Sequence, residues 1–390
     1  MKTKRQWMAC IALSLVVATL SGCSILDGIL SNNESSTNSS ESSVDDSSSE
    51  EKGMIDITSP RGVVYPYIPS IKNYLEAGET ADVSSYGGAQ NQYKGVKISW
   101  ECNRSDVAEY TVEYATKADY SDAISETSEK TAIEVFNLYK ATVYYVRVTA
   151  YADSGKVLAQ DESTLETTDM GPRFMKIDGI YNVRDLGGYQ TLDGKTTVQG
   201  LLYRGGALTP ADVYSHNLTD SGKAYMSDVL GIKTEIDFRN QTEAGGHTES
   251  PIPGASLSYV TLGGYADAFG RYKDAYRDAF LMLADKDNYP IYMHCTGGAD
   301  RTGTVSFLLN ALLGVSELEC VQDYELTTFS TYGARNTKRG TYAAYYQEFR
   351  EKLDAFDGDT LQEKVEAYLL SIGLSETDIA NIKAIMYGEK

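Results

Sequence analysis

The sequence predicts two folded domains, an all-β sandwich followed by an α/β domain with a central, mostly parallel sheet flanked by helices. Apolar and polar residues alternate in residues 96–100, 110–114 and 143–150, which is typical of antiparallel strands with one buried face. Farther along, a short apolar run at 290–294 precedes a glycine-bearing loop, and apolar residues then recur at helical spacing. A strand, a tight loop and a helix in this order favour an α/β domain.

The first residues of the chain predict an export signal. Three basic residues precede an apolar run at 7–20 that is too short for a comfortable membrane span. The run ends in Leu-Ser-Gly-Cys at residues 20–23, which resembles the lipobox of bacterial lipoproteins. That resemblance implies a signal peptide at 1–22, lipidation of Cys23 and an exported chain anchored to the outer face of a bacterial membrane. The alternative is a plain secretory signal cut nearby.

Composition then divides the rest of the chain into three segments. Residues 23–53 consist largely of Ser, Asn, Asp and Glu, so they predict a flexible tether that has too little apolar surface to fold. Residues 54–170 carry the alternating β pattern. Residues 171–390 carry the strand, loop and helix signals of the α/β domain, so a chain of 390 residues accommodates two domains.

One loop of the α/β domain has the features of an anion site. Cys295 and Arg301 enclose five residues that lie between the predicted strand and the predicted helix. A loop that curls there turns backbone N–H groups inward, and the helix N-terminus adds further donors. Gly297 and Gly298 permit positive φ and close approach of a bulky anion. The guanidinium of Arg301 matches two oxygens of a phosphoryl group.

The same surroundings should activate the cysteine. A free thiol titrates near ~8.5, and a helix N-terminus beside a cation lowers that pKa. We therefore expect Cys295 to be a thiolate at neutral pH. A thiolate next to a bound phosphoryl group predicts in-line nucleophilic attack on phosphorus.

The loop sequence resembles that of a known family. His-Cys-Thr-Gly-Gly-Ala-Asp-Arg-Thr-Gly at 294–303 resembles the Cys-x5-Arg loop of the protein tyrosine phosphatase superfamily, and more closely that of bacterial tyrosine/serine phosphatases with dual specificity. Residues 182–188 with 202–204, residues 230–239 and residues 323–327 fit the same subfamily. The resemblance spans roughly residues 172–388. Rhodanese-like domains also use a cysteine-headed loop, but they lack the upstream Asn-x-Arg-Asp-Leu-Gly-Gly signal.

The resemblance implies a metal-free mechanism with a phosphocysteine intermediate and no cofactor. Backbone N–H groups of residues 296–301 would hold the phosphoryl oxygens, His294 would orient the loop, and Thr302 would donate its hydroxyl to the thiolate. The leaving oxygen needs a proton from a carboxylic acid, either Asp300 or Asp237. The predicted catalytic residues are Cys295, Arg301, Asp300, Asp237 and Thr302, and the predicted substrate-binding residues are His294, Thr296, Gly297, Gly298, Ala299 and Arg204.

Three of these assignments have alternatives. Asp237 ends a predicted strand, where reactive groups often lie, but it can equally form a structural cluster with Arg239. Arg204 can touch substrate or serve the fold. Many members of the subfamily carry Lys at the position of Ala299, and that lysine is associated with phosphoinositide hydrolysis, so the resemblance favours protein substrates.

We therefore predict a cell-surface phosphomonoesterase, most simply a protein tyrosine or dual-specificity phosphatase. The alternatives are a phosphatase of phosphoinositides or inositol phosphates and a surface lipoprotein that binds phosphate without hydrolysing it. The formal charge of −20 disfavours nucleic acid as a partner. The expected partners are a phosphorylated protein or small phosphoester and, through the lipid anchor, a membrane. The three histidines show no metal-ligand spacing, and the cysteines show no disulfide framework.

The β-rich segment resembles a fibronectin type III domain over about residues 90–168. Trp100 lies upstream, and Tyr144 precedes the alternating run 146–150, where it would form the tyrosine corner of such a sandwich. Domains of this kind usually position or bind another molecule, so we expect either a spacer role or docking to a surface partner, and no chemistry. Residues 54–89 are expected to add an edge strand and a linker.

Overall fold

The computed structural model describes residues 54–88, 91–209 and 217–389. The predicted signal peptide, the tether and the lipidation site Cys23 lie outside the described residues. Within the described residues, every helix is too short or too polar to cross a bilayer.

The N-terminal domain is a sandwich of two sheets. One sheet has the order β1-β3-β6, and the other has the order β2-β8-β7-β4-β5. All pairs in these sheets are antiparallel except β2 with β8. The strands are β1 (Ile55–Ser59), β2 (Val63–Val64), β3 (Val96–Cys102), β4 (Glu109–Ala115), β5 (Ile124–Ser128), β6 (Ala132–Val135), β7 (Val143–Tyr151) and β8 (Val157–Thr167).

Inward-facing residues of both sheets form the core of the sandwich. Trp100 on β3 packs edge-on against Tyr110 on β4, with ring centroids 5.2 Å apart. The hydroxyl of Tyr144 accepts a hydrogen bond from the backbone N–H of Tyr139 at 2.8 Å. This is the tyrosine corner that the sequence predicts.

The chain between β2 and β3 leaves the sandwich and packs on the C-terminal domain. We call residues 65–93 the docking segment, of which 89 and 90 lie outside the described residues. It contains helix α1 (Pro69–Ala77), whose Ile71, Tyr74 and Leu75 recur at helical spacing and are buried. They pack against apolar side chains of the C-terminal domain, namely Phe174, Leu326 and Phe329. The expected edge strand is present as β1, but the expected linker is an ordered part of the interface between the domains.

The C-terminal domain has a five-stranded mixed sheet in the order β12-β11-β13-β10-β9. Its pairs are parallel except β9 with β10, in agreement with the predicted mostly parallel sheet. The strands are β9 (Arg184–Asp185), β10 (Leu202–Gly205), β11 (Thr234–Asp237), β12 (Ser256–Tyr259) and β13 (Ile291–His294). The helices are α2 (Asp220–Ala224), α3 (Lys273–Leu283), α4 (Arg301–Leu312), α5 (Glu317–Glu325), α6 (Thr341–Leu353), α7 (Leu361–Ser371) and α8 (Glu376–Tyr387).

Alternation along the strands gives this sheet two buried faces. On β13, Ile291 and Met293 join the main helical core, whereas Tyr292 joins a second cluster on the other face. The register aligns Gly205 of β10 and Asp237 of β11 with His294 of β13. The carboxyl ends of three strands therefore meet at the start of the loop that begins with Cys295.

Two details of the helices concern their ends. The region 265–288 is a 3₁₀ turn (Tyr265–Phe269), then α3, then a second 3₁₀ turn (Lys286–Asn288). Helix α7 begins with a capping box, in which Thr360 and Glu363 each bond to the backbone N–H of the other.

Candidate active site

The predicted loop connects β13 to α4 and is closely packed at both glycines. Gly298 has φ +62°, and an added Cβ would lie 2.0 Å from the carbonyl oxygen of Gly205. Gly297 does not need positive φ, contrary to the prediction. Its added Cβ would instead meet the ring of Tyr332 at 2.8 Å. Both positions therefore require glycine, one for backbone conformation and both for space.

Cys295 heads the loop as a free thiol and is only 3% exposed. It follows β13 directly, and α4 begins six residues later at Arg301. The hydroxyl of Thr302 is fully buried and has no hydrogen-bond partner among the described residues. Its predicted bond to the thiolate is thus absent here, but the hydroxyl remains free to make it.

His294 lies beneath the loop, completely buried. Its Nδ1 is 3.1 Å from the carbonyl oxygen of Cys295, and its Nε2 is 2.9 Å from Oε1 of Glu235. Burial lowers the pKa of His294, but the carboxylates of Asp237 and Glu235 outweigh burial and raise that pKa overall. Because both ring nitrogens are occupied, His294 fits its predicted role in orienting the loop and has no free nitrogen for substrate.

Arg301 extends toward the mouth of the loop and meets a carboxylate that the sequence analysis missed. Its two terminal nitrogens donate to Glu243, Nη1 to Oε2 at 2.9 Å and Nη2 to Oε1 at 2.5 Å. The hydroxyl of Thr296 also donates to Glu243, at 3.3 Å. The hydrogen bond from Arg301 lowers the pKa of Glu243 below its ordinary value. A lone glutamate in the turn after β11 gives no sequence signal that it will reach this loop.

The geometry of that pair leaves Arg301 able to bind an anion. Glu243 binds the guanidinium end-on and occupies one hydrogen of each terminal nitrogen. Nε and the second hydrogen of Nη2 form the side edge, to which no acceptor is bonded within the described part of the chain. A phosphoryl group can therefore bind that edge in the two-point manner that the fork favours.

Arg204, predicted to bind substrate, instead supports the loop from below. It is fully buried, its Nη2 donates to the carbonyl oxygens of Gly298 at 2.5 Å and Ala299 at 3.5 Å, and its Nη1 pairs with Asp323. Arg184 pairs with the same aspartate at 2.6 Å. Burial and the neighbouring Arg184 lower the pKa of Arg204 to about 10. The prediction of substrate contact is wrong for this geometry, because protein acceptors hold both terminal nitrogens away from the mouth.

Asn182 provides a second support. It is buried with φ +61°, and its Nδ2 donates to the carbonyl oxygen of Gly297 at 2.9 Å. Arg184 donates in turn to the side-chain oxygen of Asn182 at 2.8 Å. Asn182 and Arg204 therefore bind carbonyl oxygens of the loop, which leaves the loop N–H groups for an anion.

Asp300, the favoured candidate acid, is held at the rim of the site. Its carboxylate accepts bonds from Arg335, Nε to Oδ1 at 2.7 Å and Nη2 to Oδ2 at 2.9 Å, and from the hydroxyl of Tyr265. Tyr265 has φ +58°, a strained conformation for a tyrosine, and its N–H donates to Thr304 at 2.8 Å. Neither Arg335 nor Tyr265 carries a sequence signal of proximity, because both lie tens of residues from Asp300.

Asp237, the other candidate acid, forms the structural cluster that the sequence left open. Its carboxylate bonds to Arg239, Nη2 to Oδ2 at 2.7 Å, and both side chains are 1% exposed. Burial raises the pKa of Asp237, but His294 and Arg239 outweigh it and bring that pKa below the ordinary value. Because the carboxylate of Asp237 is buried and bonded to Arg239, the structure favours the structural role over the acid role for this residue.

The structure also brings together ligand types that the sequence spacing did not suggest. Ligand atoms of Glu235, Asp237 and His294 lie within 4.8 Å of one another, all buried. These types can hold a divalent cation. However, His294 is bonded to Glu235 and to the loop, and Asp237 is bonded to Arg239. The trio therefore has protein partners that make it a hydrogen-bond network around the base of the loop.

A buried cysteine at the head of an anion-binding loop, with an arginine at its far end, defines the class of cysteine-dependent phosphatases. Comparison with protein families agrees with this class. Residues 175–388, more than half of the chain, match the tyrosine phosphatase family, and residues 87–166 match the fibronectin type III domain. The chain belongs to the tyrosine phosphatase family. The predicted fold class, family and cysteine-based enzyme class are confirmed at this level.

Curated relatives carry the same family name. A tyrosine-protein phosphatase of Cupriavidus necator is 29% identical over 40% of this chain and 63% of its own length. One from Nostoc commune is 24% identical over 45% of this chain and 74% of its own length. The chain thus spans less than two thirds of the first of these relatives. Among solved structures, the core catalytic domain of the PP-IP phosphatase SIW14 from S. cerevisiae matches at 18% identity and a TM-score of 0.27, covering 42% of this chain and 84% of the other.

Proposed function

We propose that the protein is a phosphomonoesterase that hydrolyses phosphotyrosine, and related protein phosphoesters, through a phosphocysteine intermediate. The observation that carries this proposal is a loop that begins at the buried Cys295 and ends at Arg301, whose side edge is bonded to no acceptor among the described residues. The carbonyl oxygens of Gly297 and Gly298 in that loop are held by Asn182 and Arg204. That arrangement leaves a nucleophile, a guanidinium fork and a set of backbone N–H groups around one point.

In the first step, the Cys295 sulfur attacks the phosphorus of the bound monoester. The S–P bond forms as the P–O bond to the leaving group breaks. Arg301 and the N–H groups of residues 296–301 stabilise the negative charge on the three equatorial oxygens. Glu243 holds the guanidinium from its end and so fixes the plane of the fork.

The leaving oxygen takes a proton as it departs, and Asp300 is the acid that the geometry leaves available. It lies at the rim of the loop with its side chain 34% exposed, whereas Asp237 is buried and paired. Arg335 and Tyr265 hold the carboxyl group in place. To act as the acid, Asp300 must be protonated and shift from Arg335 toward the substrate.

In the second step, a water molecule attacks the phosphocysteine. The P–O bond to water forms as the P–S bond breaks, and the Asp300 carboxylate accepts the proton from water. Inorganic phosphate leaves, and the cysteine returns as a thiolate. The buried hydroxyl of Thr302, which has no other partner among the described residues, lies in the first turn of α4, next to Arg301, and would stabilise that thiolate.

Three observations favour protein monoesters over highly charged phosphates. The loop position that carries a lysine in many relatives of the subfamily is Ala299, which is 1% exposed and adds no charge. Arg335 is neutralised by Asp300. With a formal charge of −20, the chain offers little long-range attraction to a polyphosphorylated ligand.

We also propose that the chain is exported and anchored at the cell surface through Cys23, with 1–22 as signal peptide and 23–53 as tether. This proposal rests on the sequence pattern at residues 20–23. It follows that the substrate would be an extracellular or host phosphoprotein, and that the β-sandwich could meet a surface partner.

The first test is hydrolysis of p-nitrophenyl phosphate and of a phosphotyrosine peptide by the purified full-length chain, beside Cys295→Ser. We expect turnover that resists a metal chelator, is blocked by orthovanadate and disappears in the variant. Preference for an inositol polyphosphate over the peptide would reassign the substrate. Vanadate binding without turnover would instead support a surface lipoprotein that binds phosphate without hydrolysing it.

A further inference from the structure

The docking segment of the N-terminal domain reaches the base of the phosphate loop. Gln92 is 3% exposed, and its Nε2 donates to the side-chain oxygen of Asn182 at 3.1 Å and to the carbonyl oxygen of Leu326 at 2.7 Å. Asn182 in turn donates to the carbonyl oxygen of Gly297. A residue of the β domain is therefore two hydrogen bonds away from the loop that holds the phosphoryl group.

We propose that the docking segment completes the catalytic site, and that Gln92 is a positioning residue which sets the loop through Asn182. This inference rests on the proposed phosphatase function, and it assigns the N-terminal domain a part in the reaction that a spacer would not have.

Hydrogen bonds occupy the amide nitrogen of Gln92 and the whole side-chain amide of Asn182. Both hydrogens of Gln92 Nε2 are used. The oxygen of Asn182 accepts from Gln92 and, at 2.8 Å, from Arg184, while its nitrogen donates to Gly297 and, at 3.2 Å, to Thr327. An amide with every donor and acceptor occupied can adopt one orientation only. Removing Gln92 would leave an acceptor of Asn182 unpaired in a buried place and release that orientation.

The orientation of the Asn182 side chain matters because it sets the direction of the Gly297 carbonyl group. When Asn182 holds its carbonyl oxygen outward, the following N–H groups point into the loop, where they bind the phosphoryl oxygens. A shift of the reacting geometry by about 1 Å can lower a rate by roughly a hundredfold. Small changes at Gln92 should therefore appear in the rate more than in the overall stability.

The backbone around Gln92 is itself fixed within the docking segment. The N–H of Ile68 donates to the carbonyl oxygen of Gln92 at 3.1 Å, and the N–H of Lys94 donates to that of Pro66 at 3.0 Å. Tyr67 and Tyr93 form an antiparallel bridge. These bonds present the Gln92 side chain to the C-terminal domain as an ordered group.

A second route from the same segment reaches the other end of the loop. Asn336 donates to Asp82 at 2.6 Å and to Ser84 at 2.8 Å, and Arg339 pairs with Asp82 at 2.9 Å. These residues follow Arg335, which holds Asp300. The docking segment thus contacts the support of Gly297 directly, and it contacts the residue next to the support of Asp300.

The test is Gln92→Met in the full-length chain, with Lys72→Met on the exposed face of α1 as the matched control. For Gln92→Met we expect a kcat for p-nitrophenyl phosphate that is roughly tenfold to a hundredfold lower, a KM changed much less, and weaker orthovanadate binding. The melting temperature should change little, and Lys72→Met should match the unchanged chain throughout. Because Gln92 acts through Asn182, its effect on kcat should disappear in an Asn182→Ala background.

Unchanged kcat and vanadate affinity in a folded Gln92→Met chain would overturn the proposal, as would full additivity with Asn182→Ala. If Gln92→Met does not fold, Asp82→Ala, which removes the pair with Arg339, takes its place. An unchanged kcat in Asp82→Ala would equally contradict the proposal that the docking segment completes the catalytic site. Absence of turnover in the unchanged chain would refute the phosphatase proposal alone, since vanadate affinity would still report whether Gln92 positions the loop.

Discussion

Arg204 lies beneath the phosphate loop and Arg301 ends it, and their surroundings differ. Arg204 and its partner Asp323 are 0% and 1% exposed, and loop carbonyl oxygens accept hydrogen bonds from its Nη2. Arg301 and its partner Glu243 are 22% and 35% exposed, and no acceptor is bonded to the side edge of Arg301 within the described residues. Both are arginine–carboxylate pairs, so residue type alone does not separate the structural pair from the functional one.

The comparison shows that burial separates the structural arginine, Arg204, from the functional one, Arg301. Two arginines share one buried aspartate, because Arg184 also binds Asp323, and protein atoms bind both terminal nitrogens of each guanidinium. Burial alone would raise the pKa of Asp323, but Arg184 and Arg204 hold it below the ordinary value. At the mouth, in contrast, water and ligand can compete for the guanidinium. Four changes should separate the two cases, beginning with the largest effect.

Asp323→Ala should destabilise the protein most, by about 3–5 kcal/mol, because it leaves two buried guanidinium groups without a partner. The free energy of unfolding in urea measures this effect. Asp354→Ala is the control, since Asp354 pairs with Arg350 and Lys364 on the surface and should cost less than about 1 kcal/mol. Equal losses of unfolding free energy in the two variants would contradict the distinction between buried and exposed ion pairs.

Arg301→Lys should leave the fold intact and lower kcat/KM by roughly 10²–10³, which corresponds to about 2.7–4 kcal/mol. Lysine keeps the charge but lacks the planar fork that binds two phosphoryl oxygens. Steady-state kinetics with p-nitrophenyl phosphate and a melting curve test both parts. A variant with near-normal kinetics would mean that charge, and not the fork, is what the mouth requires.

Lys140 extends the comparison to a buried cation with no ion pair among the described residues. It lies at the domain interface over the ring of Tyr189, and burial lowers its pKa from 10.5 to about 8. Between these values the unfolded chain holds a proton that the native protein has lost, so the free energy of unfolding should rise with pH across this window.

Lys140→Met should abolish that rise and, at pH 7, stabilise the protein by no more than about 3 kcal/mol. The backbone bonds of Lys140 to Gln199 do not depend on its side chain and should persist. Urea unfolding at pH 7, 8 and 9 measures the free energy of unfolding of the unchanged chain and of Lys140→Met. The difference between these two free energies cancels the titration of buried tyrosines, which both proteins share. If that difference does not depend on pH, the lowered pKa does not belong to Lys140.

Glu243→Gln should have the smallest effect, about a fivefold to tenfold decrease in kcat/KM, or roughly 1–1.4 kcal/mol. The amide keeps the shape but loses the charge that holds Arg301 end-on, so the fork becomes less well placed. Glu249→Gln, in the same exposed turn region, is the control. An increase in kcat/KM would show instead that Glu243 competes with the substrate.

Those parts of the site that depend on residues close together in the chain could be predicted from the sequence. The order of strand, loop and helix, the cysteine with its arginine and the tyrosine corner all depend on residues close together in the chain, where spacing and residue type determine the geometry. The supports of the loop depend on tertiary contacts. Glu243, Arg335 and Tyr265 reach the loop from turns whose direction no local pattern specifies.

The errors have the same origin. The sequence presented Arg204 as a charged residue near the site, and its role followed only from the register that places β10 beneath the loop. Asp237 stands at a strand end, where acids are common, but its two-residue spacing to Arg239 let the pair close on itself. The docking segment was expected to be a linker because its partners, Phe174, Leu326 and Phe329, lie far away in the sequence.

The distant origin of these supports also sets when the phosphate loop takes its final form. The bonds from Asn182, Arg204 and Glu243 to the loop and its arginine span 115, 94 and 58 residues. Contacts so far apart in the chain form late in folding, because closing the intervening loops costs entropy first. A newly made or partly folded chain therefore lacks the anion-binding loop around its cysteine, and that loop is complete only in the finished tertiary structure.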